Sequence, residues 1–235
     1  MIKIEKNLSK FKKIFEIIEK CNVEINIEFL EDKVILKTID KANVAIVQFE
    51  LKKSFFDYYE WEKLSNCKLD LTKLNIIISK FTKKIDISFG KINVILKDDT
   101  KNFKIKHYAF TEEEREIPNL TTSSRWTLNS EEFFNTMNDF IDIDDVITIS
   151  SFDNKLKIEA KSSVVEGDII TSSTPILDGE VSSKYSLNYF IKINDIGNIF
   201  KELKFGYSIN SPCILKNEDD EISFTFVLAG RADGE

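Results

Sequence analysis

Cysteine, proline, glycine and histidine are all scarce in this chain: 235 residues carry three cysteines, three prolines, seven glycines and one histidine. Cys21, Cys67 and Cys213 stand far apart, form no C-x-x-C and would leave one thiol over if two paired, which argues against a disulfide framework and against structural zinc. The glycines build neither G-x-G-x-x-G nor G-x-x-x-x-G-K-[ST], so no phosphate-cradling loop is expected. His107 has no serine or cysteine beside it in a nucleophile-base pattern and reads as an ordinary strand or surface residue. No catalytic constellation, cofactor site or metal site is expected. Apolar runs fall short of the ~18–20 residues that a membrane span needs, and the opening Ile2-Lys3-Ile4-Glu5 alternates instead of forming a signal-peptide core. The expectation is a soluble, intracellular protein.

Positive charge is in deficit as well. Lys plus Arg number 33 against 40 Asp plus Glu, a net charge of −7. That balance excludes a uniformly basic coat for nucleic acid while leaving room for a local basic face. Hydrophobic residues, at 42%, suffice for a packed interior and exclude wholesale disorder. The length allows one large domain or two small ones.

The strongest positive signal is a repeat. Segments Ile2–Lys20, Lys68–Phe81, Trp126–Phe140 and Lys184–Ile196 each open with a short alternating strand and continue into an amphipathic helix, at a spacing of about sixty residues. Alternating strands follow each helix, such as Asn22–Phe29, Val34–Thr38 and Ala45–Leu51 after the first, or Ile85–Phe89, Ile92–Lys97 and Phe103–Phe110 after the second. The third helix is followed by Val146–Ser150, Leu156–Ala160 and Asp168–Ser172, the fourth by Lys204–Ile209, Cys213–Lys216 and Ile222–Leu228. Each unit therefore reads β-α-β-β-β, with turns such as Asp153-Asn154 between strands.

The helices are one-faced. Leu8, Phe11, Ile14, Phe15 and Ile18 form one stripe with Lys13, Glu16 and Lys20 opposite; Leu71, Leu74, Ile77, Ile78 and Phe81 form another with Lys73 and Lys80 on its flank. In the third, Phe133, Phe134, Met137 and Phe140 pack while Glu131, Glu132, Asn135 and Asp139 face away; in the fourth, Phe190 and Ile193 pack and Lys192 faces away. Asp40, Asp70 and Ser130 read as turn and cap residues. The acidic, Pro- and Ser/Thr-bearing stretch Thr111–Ser124 lacks alternation and reads as a connector between two double-unit domains, 1–110 and 125–235.

Four motifs on this repeat resemble the proliferating cell nuclear antigen family, the archaeal and eukaryotic sliding clamps. Leu36–Phe49 is similar to the family's signature segment, Glu114-Arg115-Glu116-Ile117-Pro118 to its interdomain connecting loop, Tyr185-Ser186-Leu187-Asn188-Tyr189 to its Y-S-L-x-Y motif, and Val227-Leu228-Ala229-Gly230-Arg231 to its near-terminal Y-L-A-P-[RK]. They occur in the family's order and span essentially the whole chain. Gly230 stands where the family carries proline, and Val227 where it carries an aromatic residue.

The resemblance implies an α+β DNA clamp fold: two similar domains, three subunits in a ring, helices lining the channel and sheets outside. It implies a non-enzymatic processivity factor and docking platform that encircles double-stranded DNA without reading its sequence. Implied partners are DNA polymerase, clamp loader, flap endonuclease and DNA ligase, docking through short Q-x-x-h-x-x-a-a motifs, together with identical or homologous subunits. No membrane partner is implied, and the location is the nucleoid in an archaeon or the nucleus in a eukaryote. Carried onto this sequence, Lys13, Lys20, Lys73, Lys80 and Lys192 would touch DNA phosphates. Ile39, Val44, Ile117, Pro212 and Ala229 would form the partner pocket, rimmed by Glu112–Glu116. Strand Lys101–Phe110, with Ile105 and His107, would pair with Asp168–Ser172 of a neighbour, with Ile169 and Thr171. Two alternatives stay open: a specialised subunit of a heterotrimeric or checkpoint-type clamp, and an enzyme on a β-rich scaffold.

Overall fold

The computed structural model of the chain describes residues 1–60, 67–109, 116–177 and 179–231. The core of the acidic rim, Glu112 to Arg115, lies outside the described residues. Two compact units divide the chain: 1–41, 47–115 and 218–224 in the first, 42–46, 116–217 and 225–235 in the second. The chain therefore does not divide at one point, since the 42–46 turn and the end of the last strand belong with the second unit.

In the first unit the elements are β1 (Ile2–Ile4), α1 (Leu8–Cys21), β2 (Glu24–Phe29), β3 (Lys33–Ile39), β4 (Ala45–Lys52), β5 (Tyr58–Tyr59), β6 (Cys67–Asp70), α2 (Leu71–Ile78), β7 (Ile85–Phe89), β8 (Asn93–Lys97), β9 (Asn102–Lys106) and β10 (Tyr108–Ala109). The second contains β11 (Ser124–Asn129), α3 (Ser130–Asp139), β12 (Val146–Phe152), β13 (Lys155–Lys161), β14 (Glu166–Thr171), β15 (Ser173–Leu177), β16 (Val181–Ser186), α4 (Leu187–Lys192), a 3-10 turn at Asn194–Asn198, β17 (Glu202–Tyr207) and β18 (Cys213–Glu218). The last strand, β19 (Ile222–Leu228), is shared between the two.

The repeat is present four times, but a unit of it is not a closed sheet. The opening strand of each repeat crosses to the other repeat of its pair: β1 pairs with β7 while β6 pairs with β2, and β16 pairs with β12 while β11 pairs with β17, all antiparallel. The first unit thus runs β5-β1-β7-β8-β9 and β10-β6-β2-β3-β4, and the second runs β16-β12-β13-β14 and β15-β11-β17-β18-β19. This reciprocal exchange binds two repeats into one core, because each helix follows directly on a strand held in the sheet of the other repeat.

Local chemistry explains the ends of elements. Asp70 caps α2, its carboxylate accepting the Lys73 N–H at 3.2 Å, and Asn129 caps α3 by accepting the Glu132 N–H at 3.0 Å. Ser130, expected to be a cap, is instead the first helical residue; its backbone N–H donates to Lys201 O at 2.9 Å and its side chain is buried. The β12–β13 hairpin turns at Asp153-Asn154, with φ of 48° and 57°, the left-handed pair that suits a tight hairpin. Cys21, Cys67 and Cys213 are free, buried thiols; burial pushes the Cys67 thiol up to about 12. No helix among the described residues is long and apolar enough to cross a membrane.

The strand expected to run from Phe103 to Phe110 breaks at His107. Its N–H turns to Ile92 O at 3.1 Å and its Nε2 lies 2.8 Å from Gly90 O, so the chain leaves β8 after Lys106 and re-enters as β10 against β6 in the other sheet. Residues Asp168–Ser172 divide in the same way. Thr171 ends β14, Ser172 forms the corner, and β15 joins β11.

Candidate functional site

The polar faces of the four helices are where charge differs most between the units. On α1, Leu8, Phe11, Ile14, Phe15, Ile17 and Ile18 are buried, which leaves Glu16 and Lys20 exposed and Lys13 half-buried. Lys13 is ion-paired with Glu16 at 3.3 Å, so a carboxylate sits between the two lysines along the same face. Lys20 lies in the last helical turn, where the backbone carbonyls favour a cation. Lys73 on α2 and Lys80, in the turn that follows because the helix ends at Ile78 and not at Phe81, are exposed; Lys73 is 3.8 Å from Asp70. The two helices are tied together by Asn75, whose amide donates to Phe15 O at 3.2 Å.

In the second unit Glu131, Asn135 and Asp139 are exposed, four residues apart on α3. Glu132 belongs elsewhere, contrary to its expected outward orientation: its Oε1 accepts the Ser172 N–H at 2.8 Å and so fixes the corner between β14 and β15. Nothing in the strand alternation signals that bond. Lys192 is half-buried with its ammonium 4.6 Å from the centre of the Tyr189 ring, a cation-π contact. The first unit therefore offers four of the five expected lysines, and the second offers one that already lies on an aromatic ring.

Each unit ends a sheet on an open strand. Among the described residues β9 pairs only with β8, and β14 only with β13. On β9, Ile105 turns into its own unit while Asn102, Lys104 and Lys106 are exposed; on β14, Thr171 turns inward, Ile169 is half-buried, and Glu166, Asp168 and Ile170 are exposed. His107 marks the end of β9 rather than a position within it. Beside β9 lies a depression of about 710 Å³ lined by Ile76, Ile77, Ile105 and Tyr108 with Lys73, Lys104 and Lys106. Ile76 and Tyr108 are 57% and 69% exposed, an apolar area that an edge strand seldom leaves uncovered. The charge contrast between the two strands is visible in the sequence as period-2 alternation in Asn102–Lys106 and Glu166–Ile170.

Of the residues expected in the partner pocket, Ile39 belongs to the first unit, and Val44, Ile117, Pro212 and Ala229 belong to the second. All are half-buried, so none is spent wholly on the core. Val44 follows Asn43, whose φ of 59° turns the chain, and its carbonyl accepts the Ala229 N–H at 2.8 Å. Pro212 follows Ser211, whose carbonyl accepts the Tyr185 hydroxyl at 3.0 Å. The same Ser211 oxygen lies 2.9 Å from where a Cβ on Gly230 would stand, so glycine at 230 permits a close passage of backbone past backbone. Arg231 N–H then donates to Lys184 O at 2.8 Å.

Two pairs of strand-exchanged β-α-β-β-β repeats define a DNA clamp fold, and comparison with known proteins agrees. The model of the proliferating cell nuclear antigen N-terminal domain matches residues 2–117. The DNA polymerase sliding clamp of Methanococcus maripaludis strain S2 is 24% identical, over 96% of this chain and 96% of its own. Sliding clamp 1 of Sulfolobus acidocaldarius is 26% identical over 93% and 94%. Among solved structures, proliferating cell nuclear antigen from Entamoeba histolytica superposes with a TM-score of 0.86 at 20% identity, covering 98% of both chains. The A. fulgidus protein, solved with the C-terminal region of FEN-1, gives 0.87 at 20% identity over the full length of both. The chain belongs to the proliferating cell nuclear antigen family of sliding clamps.

Proposed function

We propose that this chain is one subunit of a closed ring that encircles duplex DNA and acts as processivity factor and docking platform for DNA polymerase and other replication and repair enzymes. The observation that carries the reading is the pair of open strands: β9 exposes Lys104 and Lys106, and β14 exposes Glu166 and Asp168. Pairing β9 of one copy with β14 of the next covers two edges, places opposite charges side by side, and leaves another edge for the following copy, so the contact repeats head to tail. Lys13, Lys20, Lys73 and Lys80 then supply a sparse set of phosphate contacts suited to sliding, because phosphate contacts position a protein without reading sequence. Val44, Ile117, Pro212 and Ala229 of the second unit receive the apolar anchor of a partner peptide.

A mixed ring is favoured by one observation, the acidic row Glu131–Asp139 on α3, which more basic companion subunits would offset. Sedimentation separates these arrangements. The chain alone is expected at the mass of a trimer; Lys104→Glu with Lys106→Glu should give monomers, and adding Glu166→Lys with Asp168→Lys in the same chain should restore the ring. Charge-reversed protein that keeps the wild-type mass would overturn the interface. Wild-type monomers that assemble only with a homologous subunit would establish the mixed ring.

A further inference from the structure

A concave pocket in the second unit has no part in any of this. It lies on the β11-β17-β18 face beside β15, encloses about 340 Å³, and is lined by Leu120, Arg125, Ile176, Lys204, Ile214 and Lys216, with Thr122, Phe205 and Gly206 completing it. Sheet register explains the grouping. Arg125 stands opposite Gly206 on β17, Lys204 precedes Gly206 by two residues, and Lys216 and Ile214 stand opposite Lys204 and Gly206 on β18, so all share one face. A Cβ at Gly206 would meet Thr122 Oγ1 at 3.0 Å and Cγ2 at 3.1 Å, so the glycine lets the 120–122 segment lie close over the sheet and form the wall.

Three cations converge here in a chain of net charge −7, and no acidic side chain lines the pocket. All three are exposed, and among the described residues no ion pair ties any of them to a carboxylate. Lys204 and Lys216 stand directly opposite each other on β17 and β18, a like-charge pairing that is unfavourable unless an anion joins them. Between the cations the lining is aliphatic: Ile176 is 51% exposed, beside Leu120 and Ile214.

We propose that this pocket binds an acidic peptide segment of a partner protein, with one aliphatic side chain seated against Leu120, Ile176 and Ile214 and flanking carboxylates on Arg125, Lys204 and Lys216. Arg125 is the donor suited to a two-pronged carboxylate contact, and the lysines act as point charges. The lining favours a peptide over single-stranded nucleic acid. Bases need an exposed aromatic face to stack on, and the one aromatic ring here, Phe205, is 1% exposed. The pocket shares no residue with those assigned to the clamp's partner pocket.

The test uses the full chain and fluorescence anisotropy with a labelled peptide, Asp-Glu-Ile-Leu-Asp-Glu, beside two controls: Lys-Lys-Ile-Leu-Lys-Lys and a fluorescent single-stranded oligonucleotide of equal charge. Binding of the acidic peptide alone is expected, falling with added salt. Lys204→Glu and Lys216→Glu should each weaken it at least tenfold, and Ile176→Ser several-fold, with sedimentation mass and melting temperature unchanged. Amide shifts on titration should centre on Gly206 and Ile214. No binding of the acidic peptide, equal binding by the variants, or an oligonucleotide that binds as tightly and is displaced by the same substitutions would each overturn the proposal.

Discussion

The two units share one topology and divide its chemistry. Each exchanges its opening strands, caps one helix with a side chain (Asp70 on α2, Asn129 on α3) and changes sheets at a single corner residue, His107 or Ser172. Yet the first presents lysines on its helices and on its open strand, where the second presents carboxylates. Backbone pairing and apolar spacing are what the fold requires, and both are kept; the residues that face water are free to diverge, and there the charges have separated. A subunit that joins copies of itself head to tail gains from that separation at the junction and loses from it wherever the acidic face meets DNA.

The largest expected effect lies in the cores. Phe133 is 1% exposed and sits among Phe134, Phe190 and Phe205 with ring centres 5.4, 5.8 and 6.0 Å away. Phe133→Ala should cost about 3–5 kcal/mol, read from urea unfolding. In the first unit's core a small space of about 30 Å³ opens among residues including Phe11, Phe15, Val34, Leu36 and Leu96. Val34→Ile adds one methylene there and should stay within about 1 kcal/mol of wild type. A cost for Val34→Ile as large as that for Phe133→Ala would show that this space does not admit a further methylene.

Much of this was legible in the sequence. The stripe from Leu8 to Ile18, the turn at Asp153-Asn154 and the repeat itself follow from local spacing and turn chemistry. The strand exchange does not: Ile2-Lys3-Ile4 is too short to specify its partner, and only the tertiary fold sets it against Ile85–Ile87. The same holds for the candidate surfaces. Lys13 and Lys20 emerge from helical spacing, and Glu16 between them follows from the same i,i+3 arithmetic. Glu132 binding the Ser172 N–H depends on a contact 40 residues away, which no periodicity carries.

An intermediate effect tests the helix faces. If DNA is held by the first unit, Lys13→Ala and Lys20→Ala should each lower the salt slope of DNA binding by about one unit. Lys192→Ala should change it little, since that ammonium already rests on Tyr189. Removing repulsion sharpens the contrast: Glu131→Lys with Asp139→Lys should tighten binding and steepen the slope. Equal losses at Lys192 and Lys20 would show that the units contribute alike.

The smallest effect separates the two hairpins that lead to the open strands. Before β9, the Asp98 carboxylate accepts the Thr100 N–H at 2.8 Å, the Lys101 N–H at 2.7 Å and the Thr100 hydroxyl at 3.0 Å. Those bonds, the Thr100 N–H foremost, hold its pKa down at about 2. Before β14, the corresponding acceptor is the Ser162 hydroxyl, which takes the Val164 and Val165 N–H groups at 3.3 and 3.0 Å and does not titrate in this range. A carboxyl whose folded pKa lies below its unfolded value of about 3.9 stabilises the turn above that value and loses its contribution as pH falls toward 2. Amide protection in β9 should therefore fall over that window, while protection in β14 falls less, because its exposed Lys161–Glu166 pair at 2.7 Å contributes little. Asp98→Ala should leave β9 weakly protected at every pH and abolish the acid step. Parallel loss in both strands of the wild type would mean that the acid step belongs to the whole subunit and not to the turn.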